Sequence, residues 1–305
     1  MFRSLSNAGE DFGGHGDTPP IDEAFLEGTP PTSWYDFQHS KLRQFPRSGL
    51  KLDWLDYLGH GREGFVLQAS IGGSPPLAVK VFWRTQRPKP VPRPLGNGFR
   101  DVEWPFEDEA LTVSIFEKIK CAMEDAKADP AQNIMITKMP ASRAHAINNL
   151  RAFSDEARRS PAMAMGRQSI PLPSFPPLPA CYGWTKVARN ELPLLDPPLL
   201  EEVDEGFDWH WAIIYEFVPK HAHDPEVGQR HLDFFYATGF ALQPYWPDNW
   251  RGGRLVDFND ACSPFSKGWR KTAVRPRDAA KWFQTSDNVQ APATHRIIRA
   301  NAHLP

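Results

Sequence analysis

Apolar and polar positions alternate through LDYLGHGREGFVLQASI, from Leu55 to Ile71, which predicts a strand, a glycine turn and a second strand. After GGSPP, the run LAVKVFWR predicts a third strand with Lys80 at its centre. The period then changes. In FEDEALTVSIFEKIKCAMEDA, Leu111, Ile115, Ile119 and Ala122 recur at helical spacing with Phe116 beside them, so an amphipathic helix is expected. LPACYGWTKV and DWHWAIIYEFVP predict two antiparallel strands. Residues 224–242 predict a helix with Asp224 as N-cap and Pro225 at its first position. A short hairpin should follow in LQPYWPDNWRGGRLVDFND, residues 242–260.

Thirty-one prolines punctuate this pattern, clustering at 19–20, 30–31, 75–76, 88–94 and 171–179. Proline runs are excluded from helix interiors and central strands, so they mark linkers and insertions. Residues 1–47, rich in Gly, Pro and Ser, read as a disordered arm. Residues 48–262 read as one domain interrupted by insertions at about 87–105 and 125–177, the second with a helix near 141–159. The stretch 190–208 has seven acids and no base, which predicts a solvated loop. Residues 263–305, with eight Lys/Arg against two Asp, read as a basic tail, partly helical and then frayed.

A net charge of −2 supplies no pull toward nucleic acid or membrane. Cys121, Cys181 and Cys262 form no CxxC pair, so neither a disulfide framework nor a Cys-based zinc site is expected. The start of the chain has no apolar core of the signal-peptide kind, and no apolar run reaches about 18 residues. An intracellular protein, nuclear or cytoplasmic, is expected. His210, His221, His223 and His231 lack a third ligand at a metal-binding spacing and read as surface histidines. Of the two tryptophans flanking PDN, Trp246 and Trp250, packing onto the domain is expected.

Chemistry concentrates in a few motifs. Gly59, Gly61 and Gly64 with Val66 complete GxGxxGxV between two predicted strands. A dinucleotide site would open a helix after the last glycine; here strand residues follow, the form of a flap lying over phosphates. Lys80, centred in the next strand, should point its ammonium into a cleft and needs an acidic partner. The helix offers Glu107, Asp108 and Glu109. Glu109 is preferred, because Val113 and Phe116 would hold its helix against the sheet, with Glu107 the close alternative.

In this order the motifs resemble the protein-kinase-like fold: α+β, two lobes, a five-stranded antiparallel N-lobe sheet with one helix, and a reduced, mainly helical C-lobe. IIYEFVP resembles the family's fifth strand and hinge, which implies that Glu216, Phe217 and Val218 offer backbone groups to an adenine. LQPYWPDNW lies over the catalytic-loop pattern HRDLKPEN, with Pro247 and Asn249 matching; VDFND lies over DFG, with Asp257 and Phe258 matching and Asn259 in the glycine's place. The resemblance implies ATP and Mg²⁺ as cofactors, Asn249 and Asp257 as metal ligands, and Lys80 on the phosphates.

Departures from the pattern argue against catalysis. Pro244 stands where the catalytic Asp belongs and has no group to accept a proton; losing a positioned base costs about 10²–10⁴ in rate. Leu242 and Gln243 replace the preceding His and Arg, and the 48 residues after Asp257 contain no APE-like triplet. CYGW at 181–184, Gly239-Phe240 and PDNWRGGRLVDF also resemble a fungal family of degenerate kinase-like proteins whose namesake is an Fta-type subunit of the kinetochore Sim4 complex. That implies protein partners, kinetochore subunits among them. The expected function is a pseudokinase-like interaction module. Two alternatives stay open: an atypical phosphotransferase with Asp248 or Asp233 as base, and an interaction subunit whose cleft is filled by side chains such as His60, Arg62 and Tyr215.

Overall fold

The computed structural model describes residues 19–47, 49–93, 99–129, 132, 134–160, 169–172, 174–193 and 206–284. Its framework is a seven-stranded mixed sheet: β1 (Ile21–Phe25), β2 (Leu42–Gln44), β3 (Asp53–His60), β4 (Gly64–Ser70), β5 (Leu77–Phe82), β6 (Cys181–Ala188) and β7 (Trp209–Glu216), in the order β1-β2-β6-β7-β5-β4-β3. The α+β class is as the sequence predicted. Strands β3 to β7 form the expected antiparallel set.

The expectation of five strands is corrected by the arm. Residues 19–47 are structured: β1 and β2 extend the sheet in parallel beside β6, with the short helix α1 (Trp34–Gln38) between them. The stretch is Pro-rich but carries Phe37 and Leu42, both fully buried, and Ser33 forms a capping box with Asp36. Gly183 admits the extra strand. A Cβ there would meet the backbone of Arg43, Gln44 and Phe45 at 2.7–2.8 Å, where Phe45 donates to the Trp184 carbonyl. Residues 1–18 of the predicted arm lie outside the described residues, as do 285–305 of the tail and 194–205 of the acidic loop.

The helix after β5, α2 (Pro105–Ala128), is longer than its apolar stripe suggested and is buried nearly all round, with Thr112, Ser114 and Lys118 inside as well as Leu111, Ile115 and Ile119. It is central rather than amphipathic because chain packs on both of its sides. One side meets the sheet. The other meets the 258–262 segment and, through Arg158, the 134–160 segment, whose predicted single helix is two: α3 (Arg143–Arg151) and α4 (Asp155–Arg159), each started by a serine cap. Arg158, almost fully buried, donates to the Ala122 carbonyl (2.8 Å), Asp125 (3.1 Å) and Thr32 (3.1 Å), and also pairs with Asp155, tying α4 to α2 and the arm. Asn149 of α3 donates to the Ala237 carbonyl at 2.7 Å. Residues 134–160 of the second insertion are thus part of the core.

Helix α5 (Pro225–Thr238) starts as predicted, Asp224 accepting from the backbone of Glu226 and Val227, and stops at Gly239 in the left-handed conformation. Two short ladders follow: β8 (Ala241–Leu242) with β11 (Ala261–Cys262), and β9 (Trp250–Arg251) with β10 (Arg254–Leu255). Residues 263–284 dock rather than trail. Trp269 is buried and donates to the Gly239 carbonyl (2.8 Å), and α6 (Ala279–Gln284) packs on α5.

Apolar residues fill both faces of the sheet. Phe65, Leu67, Val79, Val81, Ala212 and Ile214 lie on one face; Phe82, Trp211, Ile213 and Tyr215 face α2. The alternation along β5 therefore points Lys80 toward α2.

Candidate functional site

Lys80 is buried, and its ammonium donates to Glu109 of α2 at 2.6 Å and to Asp257 at 2.7 Å. Burial works against its charge, but Asp257, Glu109 and Glu63 outweigh that and hold its pKa well above the ordinary lysine value. Glu109 rather than Glu107 is the partner; Glu107 pairs with Arg87 at 2.6 Å. Glu109 is fully buried and accepts from three donors: Lys80, the Tyr215 hydroxyl (2.6 Å) and the Asn259 amide (2.6 Å). These donors hold the acid in the core, while burial pushes its carboxyl up to about 7 against their pull. Phe116, expected against the sheet, instead packs on Phe240 (4.7 Å) and Phe258 (5.7 Å).

Asp257 caps a short turn, accepting from the Asn259 backbone N–H at 3.2 Å, while the adjacent Phe258 is wedged between Phe116 and Tyr215. Across the β9–β10 hairpin, the Asn249 amide donates to Asp260 at 2.9 Å, and the Asn249 carbonyl accepts from the Val256 N–H. The two sequence-predicted metal ligands are therefore linked through a third residue. Burial and the neighbouring Asp257 push the Asp260 carboxyl up to about 7. The donors here, two carboxylates and an amide oxygen, are all hard oxygen ligands of the kind that suits Mg²⁺. Among the described residues, Glu63, Glu109 and Asp257 are the acids whose carboxylate oxygens lie within 4.8 Å of one another.

The glycine turn closes over this cluster. Gly64 has a structural requirement of its own, since a Cβ there would lie 2.0 Å from the Val81 carbonyl oxygen. Gly59 has φ +148° at an irregularity in the β3–β4 register, Gly61 is exposed, and Val66 is half-buried opposite Lys80. Glu63, between the second and third glycines, turns its carboxylate inward. It accepts from the Asn259 amide at 2.6 Å and lies 3.6 Å from the Lys80 ammonium.

The predicted hinge is engaged within the protein. The Glu216 N–H donates to the Ala180 carbonyl (2.8 Å), its carboxylate pairs with Arg254 (3.2 Å), and the Val218 carbonyl accepts from Arg251 (2.8 Å). Of the backbone groups that the resemblance assigned to an adenine, the Glu216 N–H and the Val218 carbonyl are thus bonded within the protein.

Pro244 is exposed on a loop held from behind. Arg277 donates to the Leu242 (2.8 Å) and Gln243 (3.3 Å) carbonyls, and the Gln243 N–H donates to the Asp260 carbonyl (2.8 Å). Phe283 stacks on His223 at 4.5 Å and meets Trp250 and Tyr245 edge-on, while Tyr245 and His223 are hydrogen-bonded at 3.0 Å. Trp250 packs as expected, but Trp246 is 42% exposed. Asp248 faces Lys220 at 3.5 Å on the surface, and Asp233 is held by Gln229 at 2.8 Å on the exposed side of α5. His210 and His231, read as surface residues, are buried, and burial lowers the His231 imidazole to about 3. The three cysteines are free, and burial pushes the Cys262 thiol up to about 12, which suits packing rather than nucleophilic chemistry. No helix of the described residues is long and apolar enough to cross a membrane.

Asp260, Glu63 and Asn259 are the site residues that the sequence reading gave no role. Asp260 was signalled by the second acid of DFND, three residues after Asp257, and Glu63 by being the one carboxylate inside the glycine turn. No family model, curated protein or solved structure matches this chain.

Proposed function

We propose that the chain is a kinase-like, two-lobed binding module that holds a Mg-nucleotide without transferring its phosphoryl group, and that it works through protein partners. The observation that carries this reading is the buried Lys80 ammonium held between Glu109 at 2.6 Å and Asp257 at 2.7 Å beneath a glycine flap. A lysine so fixed presents a point charge to phosphate oxygens, and Asp257, Asn249 and Asp260 offer oxygens to the accompanying cation. Bound there, Mg²⁺ would neutralise phosphate charge. Pro244 supports the non-catalytic half of the reading, because its exposed ring contributes no proton acceptor. The resemblance to the Fta-type family makes kinetochore subunits in the nucleus the first partners to try.

Thermal unfolding with and without Mg-ATP tests it, with Lys80→Met and Asp257→Ala each compared with its own ligand-free form. Ligand at about 100 times Kd stabilises by about 2.7 kcal/mol, a shift of roughly 5–10 °C for a domain of this size. The expected shift requires Mg²⁺ and is absent in both variants. No shift at millimolar ATP in any form of the protein would overturn the nucleotide reading.

A further inference from the structure

We propose that Glu63 is a latch: in the resting protein its carboxylate takes the anion position beside Lys80, and a Mg²⁺-bearing polyphosphate enters only by displacing it. The inference rests on the nucleotide reading above. Its evidence is a contact between two residues 196 positions apart. Asn259 stands where the kinase-like pattern has glycine, and its amide bridges Glu63 and Glu109 at 2.6 Å each. A glycine at 259 has no side chain to donate, so the acid in the flap and the amide after Asp257 are two halves of one device.

The flap backbone sets the direction of Glu63. Its carbonyl accepts from the Trp83 N–H (3.1 Å), the Trp83 indole donates to the Gly61 carbonyl (2.9 Å), and the Gly61 N–H closes the turn on the Gly64 carbonyl (2.8 Å). With the turn pinned on β5, the Glu63 side chain extends over Lys80, while neighbouring Arg62 is 89% exposed and projects outward. Of the side chains named as cleft fillers, Arg62 points away and Tyr215 donates to Glu109; the acid beside Lys80 on the flap is Glu63. Charge makes the arrangement reversible. One ammonium faces three carboxylates, so Glu63 is repelled by Glu109 and Asp257 while Lys80 and Asn259 hold it. A polyphosphate carrying its own divalent cation replaces Glu63 at Lys80 and relieves that repulsion.

The test is binding of Mg-ATP to the full chain by calorimetry, for wild type, Glu63→Ala, Glu63→Gln and Asn259→Ala. Removing a charge-assisted contact is expected to tighten binding roughly 10-fold in both Glu63 variants, with a smaller gain in Asn259→Ala. Equal affinities in wild type and the Glu63 variants, with Lys80→Met inactive in binding, would overturn the latch and leave the nucleotide reading standing. Absence of binding in every form at millimolar ATP would overturn the nucleotide reading instead. A ligand-free double-mutant cycle in melting temperature tests the contact on which the latch rests: non-additive effects of Glu63→Ala and Asn259→Ala support it, and additive effects overturn the latch.

Discussion

The Lys80 centre and the Pro244 loop both bond to the 257–260 turn and are built from opposite materials. At Lys80, charges from β5, α2, the flap and the turn satisfy one another in the interior. At Pro244, rings hold the loop from behind and Arg277 bonds its backbone carbonyls rather than an acid. The difference teaches where each function resides. A buried ion cluster is costly to keep and fails when one member is lost, whereas an exposed proline braced by rings answers only to packing.

The largest effect expected from breaking this contrast is that of Lys80→Met. It leaves Glu109 without a cation in a fully buried position and should cost roughly 3–5 kcal/mol, read by urea unfolding. A loss below about 1 kcal/mol would mean that Tyr215 and Asn259 suffice for Glu109. On the other side, Phe283→Ala removes a half-buried ring from His223, Tyr245 and Trp250; about 2 kcal/mol should be lost. Ligand affinity at Lys80 should not change in that variant, and a change would show that the two regions are coupled.

Asp260 bonds to both regions, and pH sharpens its part. Its folded carboxyl titrates near 7, above the ordinary value of 3.8, so the folded state holds the proton more tightly than the unfolded chain does. The contribution is therefore fullest below about pH 4 and is lost as pH rises through 7. In Asp260→Asn the fall in stability between pH 5 and pH 8 should shrink by about 1–2 kcal/mol, after allowance for solvent screening. An unchanged slope would place the titration elsewhere. The smallest effect belongs to Pro244→Ala, expected within about 0.5 kcal/mol of wild type because the ring is exposed.

Much of the framework was readable from pattern. Strand alternation located β3 to β7, the Asp224-Pro225 start located α5, and helical spacing selected Glu109 as the partner of Lys80. What failed was composition used as a proxy for order. Residues 19–47 looked too rich in proline to fold, yet Phe37 and Leu42 bury completely once β6 offers Gly183 as a place to dock. The buried histidines were misread because a buried imidazole and a surface one can have the same sequence surroundings. The hinge's internal partners were not readable because Arg251 and Arg254, more than 30 residues beyond it, reach the Val218 carbonyl and the Glu216 carboxylate only in the fold.

The sequence by itself determined the α+β class, the order of the motifs, the lysine with its carboxylate partner, and the lack of a proton acceptor at Pro244. Each of these is local, set by period, capping or residue identity. Only the tertiary structure decided that the arm joins the sheet, that Asp260 lies between Asn249 and Asp257, and that Glu63 meets Asn259 over Lys80. Those contacts join segments with no periodic relation to one another, and a side chain's electrostatic partner is chosen by proximity in space rather than by spacing along the chain.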